Sequence, residues 1–155
     1  MPPAVTIRPG TTADLPAVVA MRDQLNDLER QGCAHASIVP MNLEQFTAMW
    51  SSSFNNPQYC WRIVEAAGRP AGFSLIYVPT PRTTPPGAYL HWAYLEPEVR
   101  RGGVGQRLFA ELRAWAETQG VNRIELQFID GNQTAERFWK KMGFRPYATR
   151  CVQYL

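Results

Sequence analysis

The sequence predicts a single mixed α/β domain, and three observations carry that reading. Segments with two-residue apolar alternation and segments with a helical apolar stripe follow one another in the order β-α-α-β-β-β-α-β-α-β. No linker, internal repeat or low-complexity stretch divides residues 1–155, apart from one proline-rich loop. The composition, 45% hydrophobic and 19% charged, belongs to a chain that can bury a core.

Val5 to Arg8 is short and β-branched and reads as the first strand. Thr11 followed by Asp14 is a helix-start signal. Leu15, Val18, Val19, Leu25 and Leu28 then keep to one face, so the spacing predicts a helix over about Ala13 to Gln31, stopped by Gly32. Cys33 to Met41 reads as a loop. Asn42 with Gln45 is a second cap, and Leu43, Phe46, Met49 and Trp50 form the stripe of a second helix, which the polar run Ser51 to Pro57 ends. Tyr59 to Ala66 and Ala71 to Val78 flank a Gly-containing turn and predict a hairpin. Pro79 to Gly87 is too rich in proline for regular structure.

Ala88 to Leu95 is the next strand. Val104, Leu108, Leu112 and Trp115 mark a helix closed by Gly120. Arg123 to Phe128 alternates, with Ile124, Leu126 and Phe128 on one side, and predicts a strand. A turn at Asp130-Gly131-Asn132 leads into a helix over Thr134 to Met142, with Gly143 just past its end. Tyr147 to Tyr154 is expected as a last strand.

Composition also narrows the function. A formal charge of +3 is too small for a nucleic-acid surface but suits a small anion. Trp50, Trp61, Trp92 and Trp115 have no accompanying basic stripe and read as core and pocket walls. The three cysteines, Cys33, Cys60 and Cys151, are odd in number and contain no CxxC pair, which argues against a disulfide framework and for a reducing cytoplasm. The N-terminal MPPAVTIRPG lacks the pattern of a secretory leader, and no apolar stretch approaches the ~18 residues of a membrane span. His35 and His91 stand apart from any His/Cys/acid cluster, so no metal site is expected.

The segment with chemistry written in it is Leu90 to Leu108: a strand, a proline corner at Pro97, the turn Arg100-Arg101-Gly102-Gly103-Val104-Gly105, and a helix start. Glycines let backbone approach a ligand. The first N–H groups of a helix have no partner within it, and the helix dipole adds positive charge there. The turn therefore suits a phosphate. It is not a Walker A loop, which needs GK followed by Ser or Thr, nor a dinucleotide turn, which needs GxGxxG.

Pro97, Arg100, Gly103, Val104, Gly105 and Leu108 resemble the acyl-CoA signature (Q/R)xxGx(G/A) of the GNAT superfamily of N-acetyltransferases. Asn132, Ala135, Phe138, Gly143 and Phe144 resemble its second signature, an Asn-x-x-Ala helix ending in Gly-Phe, at the usual separation. The resemblance covers Ala88 to Phe144 well; Val5 to Asp14 is also typical of the family, and 32–86 matches in element order alone. It implies one GNAT-like domain with a central mixed, mostly antiparallel sheet flanked by helices. It implies transfer of an acetyl group from acetyl-CoA directly to an amine, with no covalent enzyme intermediate; from the composition no metal, nucleic acid or membrane is expected, and a homodimer is left open.

Residue by residue, the resemblance implies that backbone groups of Tyr94 and Leu95 pair with the pantetheine arm as an added strand. It implies that Arg100, Arg101, Gly102, Gly103, Val104, Gly105 and Gln106 hold the pyrophosphate, and that Asn132 contacts the cofactor near its thiol arm. Arg137, Lys140 and Lys141 read as a solvated helix face, with the cofactor's 3′-phosphate as the alternative. The family often places a tyrosine acid where this chain has Trp139, and an indole cannot lose a proton at neutral pH. Trp139 then lines the cofactor pocket, and the acid is open, with Tyr147 and Tyr154 as substitutes.

For the base, strict alternation would put Tyr89, His91, Ala93 and Leu95 on one face. His91 is the better candidate by chemistry, with an unperturbed pKa of ~6.5; the alternative is a histidine that packs beneath the sheet. Glu96 is expected at the corner, and Glu65 and Glu125 as solvated strand residues. The acceptor pocket is expected among Leu28 to Met49, Pro79 to Gly87 and the last strand. Its aromatics suit the amine of a small molecule or amino acid with an apolar or planar body, with a protein N-terminus or lysine as the alternative. Loss of the tyrosine also leaves open a non-catalytic acyl-CoA sensor.

Overall fold

The computed structural model describes residues 4–155, so Met1 to Pro3 of the stretch read for a leader lie outside it. The strands are β1 (Val5–Pro9), β2 (Tyr59–Ala66), β3 (Arg69–Tyr77), β4 (Gly87–Leu95) and β5 (Arg123–Leu126). The helices are α1 (Leu15–Gly32), α2 (Leu43–Trp50), α3 (Val104–Thr118) and α4 (Gln133–Lys141). The sheet runs β1-β2-β3-β4-β5 in space; the first four strands are antiparallel and β5 lies parallel to β4.

Local chemistry sets the element ends. Asp14 accepts from the Thr11 backbone N–H at 2.8 Å and from Arg8 Nη2 at 2.7 Å, and Arg8 Nε also donates to Glu65 at 2.8 Å. One carboxylate thus caps the entry to α1 and, through Arg8, ties it to β1 and β2. Asn42 and Gln45 exchange reciprocal bonds of 2.9 and 3.0 Å, the capping box expected at α2. The hairpin turns on Ala67 and Gly68, both at positive φ, as a two-residue loop between twisted strands requires.

Each sheet face has its own core. Leu15, Val18, Phe46, Trp61, Phe73, Leu75 and Tyr94 pack under α1 and α2. Val64, Ile76, Ala88, Leu90, Val104, Leu108 and Leu112 pack under α3. A fully buried side chain of this kind contributes about 1.5–3 kcal/mol.

Four expectations are corrected. Tyr147 to Tyr154 is not a strand; residues 145–155 are exposed and irregular. Neither alternating set of that stretch is apolar throughout, so pairing would bury no continuous face. It is held instead by Tyr147 Oη, which donates to Glu125 at 2.8 Å, and by Tyr154 Oη lying 2.7 Å from His35 Nδ1. β5 ends at Leu126 rather than Phe128. Glu65 and Glu125 are ion-paired with Arg8 and Arg123 rather than freely solvated.

The fourth correction shapes the site. β3 and β4 pair Leu75 with Trp92 but the next residue, Ile76, with Leu90, so His91 is the extra residue of a β-bulge. Strict alternation fails there. Ala88 and Leu90 join the core under α3, and so do Ala93 and Leu95, three residues on from Leu90 and two beyond that. Tyr89 and His91 therefore face away from Ala93 and Leu95, and His91 and Trp92 turn to the same side.

Candidate functional site

The bulge also ends the parallel ladder. β4 and β5 pair from Gly87 with Arg123 to Leu90 with Leu126, and there the pairing stops. Beyond it β4 continues to Leu95 with β3 on one edge. Its other edge, from His91 to Leu95, has no strand partner among the described residues. A wedge thus opens between β4 and the chain leaving β5.

The glycine turn lies at the Leu95 end of this wedge. Gly102 and Gly103 sit at φ of 74° and 76°, a backbone that L side chains rarely adopt, and Gly103 is the N-cap of α3. Gly105 allows three elements to converge: a Cβ there would stand 3.1 Å from Phe138 of α4 and 3.7 Å from Leu95. The first N–H groups of α3 are presented beside the strand edge. Arg100 and Arg101 are exposed. Arg100 has a structural task too: its Nε donates to Leu95 O at 2.8 Å, and its guanidinium lies 5.8 Å from the Tyr94 ring centroid.

Among the predicted cofactor residues, 94–95 and 100–106 are thus brought together. Asn132 caps α4, its Oδ1 accepting from the Ala135 N–H at 3.1 Å. Trp139 is half-buried against the core under α3, 5.6 Å from Phe109, 4.8 Å from Phe138 and 5.4 Å from Phe144 between ring centroids. Glu96 sits at the corner and accepts from Arg69 at 2.6 Å.

His91 and Tyr89 line a wall of aromatic rings on the opposite face. The His91 ring centroid is 4.2 Å from Trp92, 5.3 Å from Trp50, 6.0 Å from Tyr89 and 6.1 Å from Tyr77. Burial, with a smaller contribution from the Arg22 charge, lowers the His91 pKa to about 4. His91 is therefore neutral at physiological pH, and the burial that keeps it so also makes it a weak base. Burial raises the Tyr89 and Tyr77 pKa values, keeping both hydroxyls protonated.

Sequence reasoning missed Arg22. It lies on the inward face of α1, 3% exposed, with its guanidinium over Phe46 and Trp92. Its place four residues after Val18, in the apolar stripe, was the available signal. A groove of about 660 Å³ between α3, β5 and the segment around Phe144 is lined in part by Tyr147, a candidate acid, but by none of the predicted cofactor residues and by neither His91 nor Tyr89. No group of three or more potential metal ligands occurs among the described residues.

A model of the Acetyltransferase (GNAT) family matches residues 23–144, from within α1 to the Gly-Phe after α4. The chain belongs to that family. No curated protein matches this GNAT chain. Solved structures similar to it include a tetramutant of the BH1408 protein from Bacillus halodurans, 20% identical with a TM-score of 0.79 over 97% of this chain and 99% of that one. The aminoglycoside N-acetyltransferase AAC(6′)-Iy in complex with CoA is 17% identical, with a TM-score of 0.75 over 100% and 96%. The aminoglycoside acetyltransferase meta-AAC0020 from an uncultured soil metagenomic sample, in complex with trehalose, is 14% identical, with a TM-score of 0.70 over 97% and 96%. At these identities the likeness is one of fold.

Proposed function

We propose that this GNAT-family chain transfers the acetyl group of acetyl-CoA to the primary amine of a small molecule or amino acid in the cytoplasm. The observation that carries the reading is the unpaired edge of β4 from His91 to Leu95, ending at the helix N-terminus of the Gly102-Gly103 turn. An extended amide-bearing arm would pair with that edge, and its pyrophosphate would meet the N–H groups of residues 101–106 and the charges of Arg100 and Arg101. Asn132 would meet the arm through the part of its amide that does not cap α4.

The amine nitrogen attacks the thioester carbonyl, the C–S bond breaks, and the amine proton leaves while the thiolate gains one. The amine attacks unprotonated, and His91, a weak base with its pKa lowered to about 4, takes the proton from the cationic nitrogen of the adduct. Trp139 supplies no acid, since its indole is committed to packing and cannot ionise usefully; the thiolate is protonated through water.

Incubation with acetyl-CoA and a panel of amines, followed by thiol release, tests this. Turnover on small amines supports it; turnover only on peptide N-termini or lysines shifts the acceptor class. Binding of CoA without turnover on any amine favours a sensor, and absence of CoA binding refutes the cofactor site. A His91→Ala variant with an unchanged rate and pH profile removes His91 from the proton path.

A further inference from the structure

Arg22 carries a buried charge that the transfer chemistry does not use. Its side chain is 4% exposed. The guanidinium carbon is 5.7 Å from the Phe46 ring centroid and 6.0 Å from that of Trp92, and Nη2 donates to Val39 O in the loop between α1 and α2. Nη1 is buried and has no hydrogen-bond partner among the described residues. Asp23 Oδ1 stands 3.8 Å from it, beyond hydrogen-bond length, on a side chain that is 60% exposed.

A second buried donor without a partner lies on the same wall. Trp50 Nε1 meets no acceptor among the described residues. The Trp50 ring is 5.0 Å from Trp92, 6.3 Å from Phe46 and 5.3 Å from His91, so it borders both the rings that Arg22 covers and the proposed proton acceptor. Stacking and the Val39 bond account for the faces of the guanidinium and for Nη2. They leave two N–H donors unmet, one of them on a full cation, around a single stacked pair, Phe46 and Trp92. Buried charges and donors without acceptors are costly, and a carboxylate oxygen answers both. The Arg22 charge is felt at His91, where it helps to lower the pKa.

We propose that Arg22 Nη1 and Trp50 Nε1 form a carboxylate subsite, so that the preferred acceptor is an amine carrying a carboxylate on an apolar or aromatic body: an amino acid, rather than a polyamine or an amino sugar. The proposal rests on the transferase reading above for the word acceptor, but not for the binding itself. The carboxylate would reach Arg22 and Trp50, whose donors are closed to solvent in this structure, with its amine toward His91 and its body along Tyr77 and Tyr89.

Calorimetry on the CoA-loaded protein tests it with three probes: L-phenylalanine, L-phenylalaninamide and phenethylamine. The acid should bind about 10-fold to 100-fold more tightly than its amide, the range for a charge-assisted bond. Arg22→Met should abolish that preference and leave CoA affinity unchanged. Trp50→Phe keeps an aromatic ring but removes the N–H together with part of the indole, and it should reduce the preference several-fold even if Arg22→Met fails to fold. Equal affinity for acid and amide, binding of none of the probes, or a preference undiminished in Trp50→Phe would each overturn the subsite. A retained acid preference with no thiol release on any amine would refute the transferase reading and leave the subsite standing.

Discussion

Acidification from about pH 7 to about pH 4.5 should destabilise this fold by roughly 2 kcal/mol through His91 alone. The folded-state pKa of His91 is about 4, because burial and the Arg22 charge disfavour the imidazolium. In the unfolded chain it returns to ~6.5. Between those values the unfolded state holds a proton that the folded state does not. The contribution of neutral His91 is therefore complete above the unfolded pKa and is lost as pH falls toward the folded one. A gap of that size caps the loss at about 3.4 kcal/mol, at about 1.36 kcal/mol per pKa unit, and part of it remains at pH 4.5. Glu29, whose pKa burial raises, acts in the opposite direction, and Asp14, held low by Arg8, acts below this window. The comparison that isolates His91 is thus wild type against His91→Asn, with urea midpoints measured across the window. The wild type should lose stability more steeply on acidification. Equal pH slopes would refute the reasoning, and so would a His91 imidazole titrating near 6.5 by NMR, its signal assigned by its loss in His91→Asn.

Gly103→Glu should weaken CoA binding by more than about 100-fold in calorimetry, since it adds a carboxylate where phosphate is expected. Gly103→Asn, which tolerates the left-handed backbone, should stay within about 10-fold, separating charge from strain. Asp14→Ala should cost about 3 kcal/mol, because it removes the cap of α1 and the main partner of Arg8; a melting temperature lowered by less than a few degrees would contradict this. Trp139→Tyr should not raise the transfer rate, since the position faces Phe109 and Phe144; a faster enzyme would show that a hydroxyl there reaches the thiol.

The helices were legible because their boundaries are local chemistry. Thr11 with Asp14, Asn42 with Gln45, and Gly120 and Gly143 are signals within a turn of the ends they set. The glycine turn, proposed to hold the cofactor, was legible as a turn for the same reason, as a run of residues contiguous in the chain. The acceptor side was not. Whether His91 shares a face with Leu95 depends on a bulge, and a bulge is decided by how β4 lies against β3, which alternation cannot report. The absent last strand failed in a related way: Tyr147 to Tyr154 has the residue types of a strand, but pairing needs an edge and an apolar face to bury. Arg22 stayed hidden because a charge in an apolar stripe gains meaning only from the rings of Phe46 and Trp92, which are distant in sequence.

The single extra residue at His91 divides the labour of one strand. Before it, Ala88 and Leu90 anchor β4 to the α3 side while Tyr89 looks outward; after it, Ala93 and Leu95 return to the α3 side beside the glycine turn. The proposed donor and acceptor surfaces are therefore encoded by different side chains on opposite faces of one strand. Drift at Tyr77, Tyr89 or Trp50 can retune which amine is welcomed without disturbing the edge that would receive the thioester. Deletion of one residue at the bulge would instead exchange the two faces downstream and lose both at once. An evolutionary or engineered change of substrate in this scaffold should accordingly accumulate by substitution on the aromatic wall and spare the length of β4.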